Sequence, residues 1–243
     1  MRDAKKRGAG PGWRQHNTAN GGSVYATQGG DINIAGSPAE PPPAARERIR
    51  VLMLAANPLG TDRLAIDEEA RQIAERLRLS RDRDAFDLIT AWAVRPLDLL
   101  QQLNDHRPQV VHFSGHGGGA GEILLSAGDG TGRRVRAPAL ADLFRATDDD
   151  IRVVVLNACH SAAAAQAIGP HVDYVVGMSA PITDKAATIF AASFYSSLGS
   201  GRAIPQAFAQ AVAMLGVHGV VGQGVPELMA RPNANPHLRQ GAR

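Results

Sequence analysis

A chain of 243 residues that is 44% hydrophobic and 20% charged, with 26 Lys and Arg against 23 Asp and Glu, has an ordinary globular composition. Its single cysteine, Cys159, excludes a disulfide framework and predicts a reducing, cytoplasmic setting. No segment has the basic start and apolar core of a signal peptide. The longest apolar-leaning stretch, 203–221, carries Gln206, Gln210 and His218, so no membrane span is expected. The basic excess sits in Arg2, Lys5, Lys6, Arg7 and Arg14, a solvated terminus that gives no strong nucleic-acid signal.

Residues 1–45 read as a Gly- and Pro-rich tail and linker ending in Pro41-Pro42-Pro43. Within them, 23–27 and 31–34 alternate apolar and polar residues around Gln28-Gly29-Gly30. That pattern predicts a short hairpin at 23–34 able to add strands to a partner's sheet edge. From residue 46 apolar strands alternate with helical segments, the signature of an α/β fold: a mostly parallel sheet flanked by helices on both faces. A strand over 49–54 precedes a helix capped by Thr61 or Asp62, which buries Ile66, Ala70, Ile73 and Leu77. Its charged face carries Glu68, Glu69, Arg71 and Arg76. A strand over 86–94, a helix over 96–104 and a strand over 110–114 lead into Gly115-His116-Gly117-Gly118-Gly119. A small hairpin pairs 123–125 with 133–135 and is followed by a helix over 138–146. The most apolar strand, 151–156, ends at Asn157-Ala158-Cys159 and leads into an Ala-rich helix, 162–168. A strand over 174–178 and helices over 184–198 and 204–215 complete a domain spanning 46–226. Residues 227–243 read as a flexible tail.

Two reactive side chains, His116 and Cys159, each follow a strand expected to be central and parallel, and so emerge at the carboxyl edge where open α/β sheets place their sites. If the two strands are neighbours, their spacing of about 4.8 Å brings the imidazole and the thiol together. A nearby His and the start of the Ala-rich helix favour a thiolate at Cys159. Glycines flanking His116 let backbone approach a substrate, and the Gly117 and Cys159 N–H groups are candidate oxyanion donors. The pair needs no cofactor and no metal. A single Cys with a His 43 residues upstream also matches the order seen in caspase-like peptidases.

His112-Phe113-Ser114-Gly115-His116-Gly117 and Val155-Leu156-Asn157-Ala158-Cys159-His160-Ser161 resemble the two active-site motifs of the CHAT domains, bacterial relatives of caspases, metacaspases and separase. The strand from Val51 to Pro58, Asp67-Glu68-Glu69, and the stretch from Gly177 to Tyr195 are similar to the CHAT pattern as well. The resemblance implies a caspase–haemoglobinase-like fold and cysteine endopeptidase activity on a protein or peptide substrate, through a Cys159–His116 dyad and a thioester. It also implies a regulated effector in bacterial defence or signalling, released by a sensor or activating partner. Metacaspases carry an acid two residues before the nucleophile where this chain has Asn157, which puts an Arg or Lys preference in doubt. Asp184 is placed either to line the specificity pocket or to cap the helix after it. Met178 and Ser179 are candidates to pair with an extended substrate.

Other readings are weaker. No Gly-x-Ser-x-Gly elbow accompanies the Gly-rich loop, so the lipase-type oxyanion loop fails. A strand, not a helix, follows Gly115-x-Gly117-x-x-Ala120, which argues against a dinucleotide site. Strand alternation turns His112 away from the loop, which disfavours a metal site of His112, His116, Cys159 and His160. The rival of another class is a catalytically silent caspase-like scaffold acting as a protein–protein interaction module.

Overall fold

A computed structural model describes residues 16–19, 22–25, 48–147, 150–220 and 226–238. The chain divides into two units, Met1–Arg46 and Glu47–Arg243. In the first, β1 (His16–Ala19) and β2 (Gly22–Tyr25) pair antiparallel, His16 opposite Tyr25. The first strand of the hairpin expected at 23–34 overlaps β2, which pairs with 16–19, and its second strand lies outside the described residues.

The second unit runs β3 (Ile49–Ala56), α1 (Ile66–Leu79), β4 (Phe86–Ala91), α2 (Pro96–His106), β5 (Val110–Gly115), β6 (Gly117–Gly118), β7 (Glu122–Ser126), β8 (Gly132–Val135), α3 (Ala137–Ala146), β9 (Val153–Asn157), α4 (Ala162–Ile168), β10 (Tyr174–Met178), α5 (Asp184–Gly199), α6 (Ile204–Val217) and β11 (Pro226–Ala230). Six strands form one sheet in the order β11-β10-β9-β5-β3-β4. All neighbours are parallel except β11, which runs antiparallel to β10. Strands buried on both faces read as continuous apolar runs, and Val153-Val154-Val155-Leu156 of β9 is of this kind.

The pleat of β3 sorts its side chains into two cores. Ile49, Val51, Met53 and Ala55 pack with residues of α1, α5 and α6, while Leu52, Leu54 and Ala56 pack with α2, α3 and α4. The expected architecture, helices on both faces of a mostly parallel sheet, is the observed one. The small hairpin gains a third strand, β6, so that β6-β7-β8 form a separate sheet beside the carboxyl edge of β5. Strand β4 stops at Ala91, short of the expected 94, because Ala93 takes a left-handed φ of 51° that breaks extended backbone.

The segment 227–243, read as a tail, begins with the edge strand β11. Its anchor is ionic: the buried Asp173 carboxylate, just before β10, meets Arg152 Nε and Arg231 Nη2, each at 2.6 Å. These three residues tie the starts of β9 and β10 to the end of β11. A single charged residue in a Pro- and Asn-rich stretch gives no local sign of this. Among the described residues, no helix is long and apolar enough to cross a membrane. Asp173→Asn leaves Arg152 and Arg231 without their charge partner and is expected to cost about 3 kcal/mol, read as a fall of roughly 6–12 °C in Tm by calorimetry.

Candidate functional site

Strands β5 and β9 are parallel neighbours with Ser114 opposite Asn157. Each chain continues two residues further, one to His116 and the other to Cys159, and the two half-buried side chains line one small cleft of about 60 Å3 at the carboxyl edge. The neighbourhood anticipated from strand order is therefore present. The loops approach so closely that a Cβ on Gly117 would lie 1.8 Å from the Cys159 carbonyl oxygen. Only glycine fits there. His116 O accepts from Leu124 N at 3.0 Å, so the β6–β7 ladder bonds flank Gly117 and its own N–H turns away from β7.

The Cys159 turn is held from beneath. The buried Ser161 hydroxyl donates to Leu156 O at 2.7 Å and accepts from Met178 N at 2.9 Å, joining the ends of β9 and β10. His160 takes a left-handed φ of 55°, a strained backbone state that this anchoring sustains. His160 itself does not line the cleft. The thiol meets the segment before α5: Cys159 Sγ accepts from Ile182 N at 3.4 Å and lies 3.8 Å from Ile182 O, to which it donates. His116 Nε2 lies 2.9 Å from the Asp62 carbonyl oxygen. That carbonyl can only accept, so Nε2 carries a hydrogen, and in the neutral ring the lone pair is on Nδ1. Nothing in the sequence pointed to a backbone group as the residue that orients His116.

Below the cleft lies a buried polar chain that sequence reasoning missed. Glu69 was assigned to the solvent face of α1, yet it is 4% exposed. It stands three residues after Ile66 and four before Ile73, on the apolar stripe itself, and that spacing was the available signal. Its Oε1 accepts from His112 Nε2 at 2.7 Å and from Asn157 Nδ2 at 2.6 Å, and its Oε2 accepts from Ser114 Oγ at 2.8 Å. Beyond His112, the Tyr195 hydroxyl lies 3.2 Å from Nδ1. Burial, reinforced by the Glu69 charge, pushes the Tyr195 phenol well above its usual range, so it remains a donor to Nδ1. The adjacent Glu68 is the contrast. It is partly exposed, and hydrogen bonding to Arg71 lowers its carboxyl pKa to about 2.

The remaining candidates divide. Asn157 lines the cleft; its Nδ2 also reaches Ala187 O at 3.3 Å, while its buried Oδ1 has no partner among the described residues. Asp184 lines the cleft but does not cap α5. That role belongs to Thr183, whose side chain accepts from Ala186 N at 3.3 Å. Asp184 Oδ2 instead accepts from Ala65 N at 3.0 Å, serving the start of α1, where neither Thr61 nor Asp62 caps the helix. The Met178 side chain is fully buried in the core, Met178 pairs with Pro226 of β11, and neither it nor the exposed Ser179 lines the cleft. The edge expected to take a substrate strand at Met178 is occupied by β11. Glu69→Gln places an amide against donors from His112, Asn157 and Ser114. It is expected to lower stability by about 2–3 kcal/mol in urea unfolding, with an unchanged m-value.

Comparison with known proteins agrees with this architecture. Residues 33–216 match the sequence model of the CHAT domain. Over 162 residues the chain is 26% identical to a Roc-COR-CHAT protease from an unknown prokaryotic organism, covering 64% of this chain and 15% of that protein. It is 24% identical over 161 residues to a protein of Gillisia limnaea named "Probable protease", covering 62% of this chain and 27% of the relative. The chain thus spans between about a seventh and a quarter of the length of these relatives. Caspase-1 from Spodoptera frugiperda superposes with a TM-score of 0.51 at 9% identity, over 76% of this chain and 87% of that one. The fold is caspase-like, and with the model spanning most of its length the chain belongs to the CHAT domain family.

Proposed function

We propose that this chain carries the peptidase module of a cysteine endopeptidase. The carrying observation is that His116 and Cys159, from adjacent parallel strands, line one cleft while Asp62 O holds the imidazole through Nε2. In the proposed cycle, His116 Nδ1 takes the Cys159 thiol proton and the thiolate attacks the scissile carbonyl carbon. The Gly117 and Cys159 N–H groups are the candidate donors to the oxyanion. The imidazolium then protonates the departing amine, leaving an acyl thioester on Sγ. Water, deprotonated by His116, releases the acid and restores the thiol. The thiol's original proton leaves on the amine and is replaced by one from water, so the cycle closes without a cofactor.

The thiol's partners, Ile182 N and O, bear on regulation. Attack requires Sγ to leave them, so an activating protein that shifts residues 179–183 would arm the site. This supports a partner-released effector, the role that resemblance to the CHAT domains suggests for defence or signalling. The rival scaffold reading predicts no turnover under any condition.

An unbiased peptide library presented to the purified chain, alone and with proteins from the source cell, tests the proposal. Wild type is expected to cleave, Cys159→Ala to show no cleavage, and His116→Ala to lose about 10²–10⁴-fold in kcat/KM with stability retained. Cleavage that survives Cys159→Ala would contradict the mechanism.

A further inference from the structure

Resting on the peptidase reading, we propose that Asp184 is a positioning residue for His116: by accepting from Ala65 N it fixes the loop whose Asp62 carbonyl holds the imidazole. His116 Nε2 lies 2.9 Å from Asp62 O, and a carbonyl is only as well placed as the backbone that bears it. That backbone is residues 57–65, which join β3 to α1 and carry no helix or strand of their own. Among residues 62–65, Asp62, Arg63 and Ala65 are exposed, and only Leu64 packs against the core. Apolar burial alone therefore does not set the direction of the Asp62 carbonyl.

Hydrogen bonds set it. Leu59 N, three residues before Asp62, donates to Gly130 O at 2.8 Å, and Ala65 N, three residues after it, donates to Asp184 Oδ2 at 3.0 Å. The Asn57 amide, turned so that Nδ2 meets Asp62 O and Oδ1 meets Leu64 N, each at 3.3 Å, supports the same stretch from the end of β3. Of these ties only the one to Asp184 has a carboxylate as its acceptor, and a charged acceptor makes the stronger bond. Ala65, at the N-cap of α1, brings no side-chain oxygen of its own, so the carboxylate beside this helix start comes from α5, and the helix dipole favours it there. Both ends of the tie rest on packed helices, because Ile66 of α1 and Ala186 of α5 belong to one buried core. Asp184 is the first residue of α5, so the tie stays with that helix when the segment before it moves off the thiol. The same short stretch thus holds Cys159 through Ile182, and His116 through Asp184, Ala65 and Asp62.

The role needs an acceptor at this position and not a charge, so an asparagine, whose Oδ1 accepts, replaces Asp184 and an alanine does not. The measurement is the rate of Cys159 alkylation by iodoacetamide at neutral pH, each chain being compared with the same chain carrying His116→Ala, and far-UV circular dichroism shows which are folded. The ratio of the two rates is the part of the thiol's reactivity that His116 supplies. It is expected to be at least about ten in the wild-type background, to stay within about two-fold of that value in Asp184→Asn, and to fall at least about five-fold in Asp184→Ala, because a small misplacement of a catalytic group is costly. Ala65→Pro removes the donor and leaves the carboxylate in place. Ala65 has a φ of −81°, which proline tolerates, and the same fall is expected. That variant decides the matter if Asp184→Ala does not fold. A ratio unchanged in either folded variant, or lost in Asp184→Asn as fully as in Asp184→Ala, overturns the positioning role and leaves the peptidase reading standing. A ratio of one in the wild type removes the peptidase reading and the proposal with it.

Discussion

The buried carboxylate of Glu69 is the constraint on which the site depends. A carboxylate removed from water must be met by donors, and here each donor comes from a strand that carries a candidate functional residue. Ser114 stands two residues before His116, and Asn157 two before Cys159. One side chain on α1 therefore sets the ends of β5 and β9 against each other at the point where they leave the sheet. His112 and Tyr195 extend the same chain of hydrogen bonds to α5, so the helical layer, the sheet and both loops share one polar core. Its members satisfy one another except at Asn157 Oδ1, which is buried and has no partner among the described residues.

The opposite edge of the sheet repeats the device with charges. Asp173 gathers Arg152 and Arg231 and holds an antiparallel strand on the outer side of β10. Between these two polar knots the sheet is almost wholly aliphatic. Apolar burial supplies the bulk of the stability, while the buried polar groups fix which strands end where. Rigid strands and strained, tightly apposed loops are then complementary features. Gly117 against the Cys159 carbonyl, and the left-handed backbone at His160, persist because Ser161 and the Glu69 group leave the loops little room to relax.

Much of this was legible beforehand because it is written in periodicity. Apolar runs located the central strands, and placing His116 and Cys159 just beyond two of them was enough to predict a shared edge. What stayed hidden belongs to groups whose role is set by distant partners. Glu69 looked like a solvated charge because charge argues for exposure. Its position on the stripe of Ile66, Ile73 and Leu77 was the stronger datum, and the donors that reconcile the two lie 43 to 88 residues away. Asp184 looked like a cap for its own helix and serves Ala65, 119 residues earlier, while Thr183 next door does the capping. Strand β11 was missed because an edge strand needs few apolar residues and its anchoring charge sits on another element. The orienting group for His116 is a peptide carbonyl, and such a group has no sequence signature.

The central claim is that His116 and Cys159 work as one chemical unit. It is tested most directly by the rate at which iodoacetamide alkylates Cys159 at neutral pH in the wild-type chain and in His116→Ala, with far-UV circular dichroism to show that both are folded. A wild-type rate at least about ten-fold above that of His116→Ala is the expected result, because the imidazole takes the thiol proton. Equal rates in two folded proteins would mean that the imidazole does not act on the thiol, and the account of the site would fail.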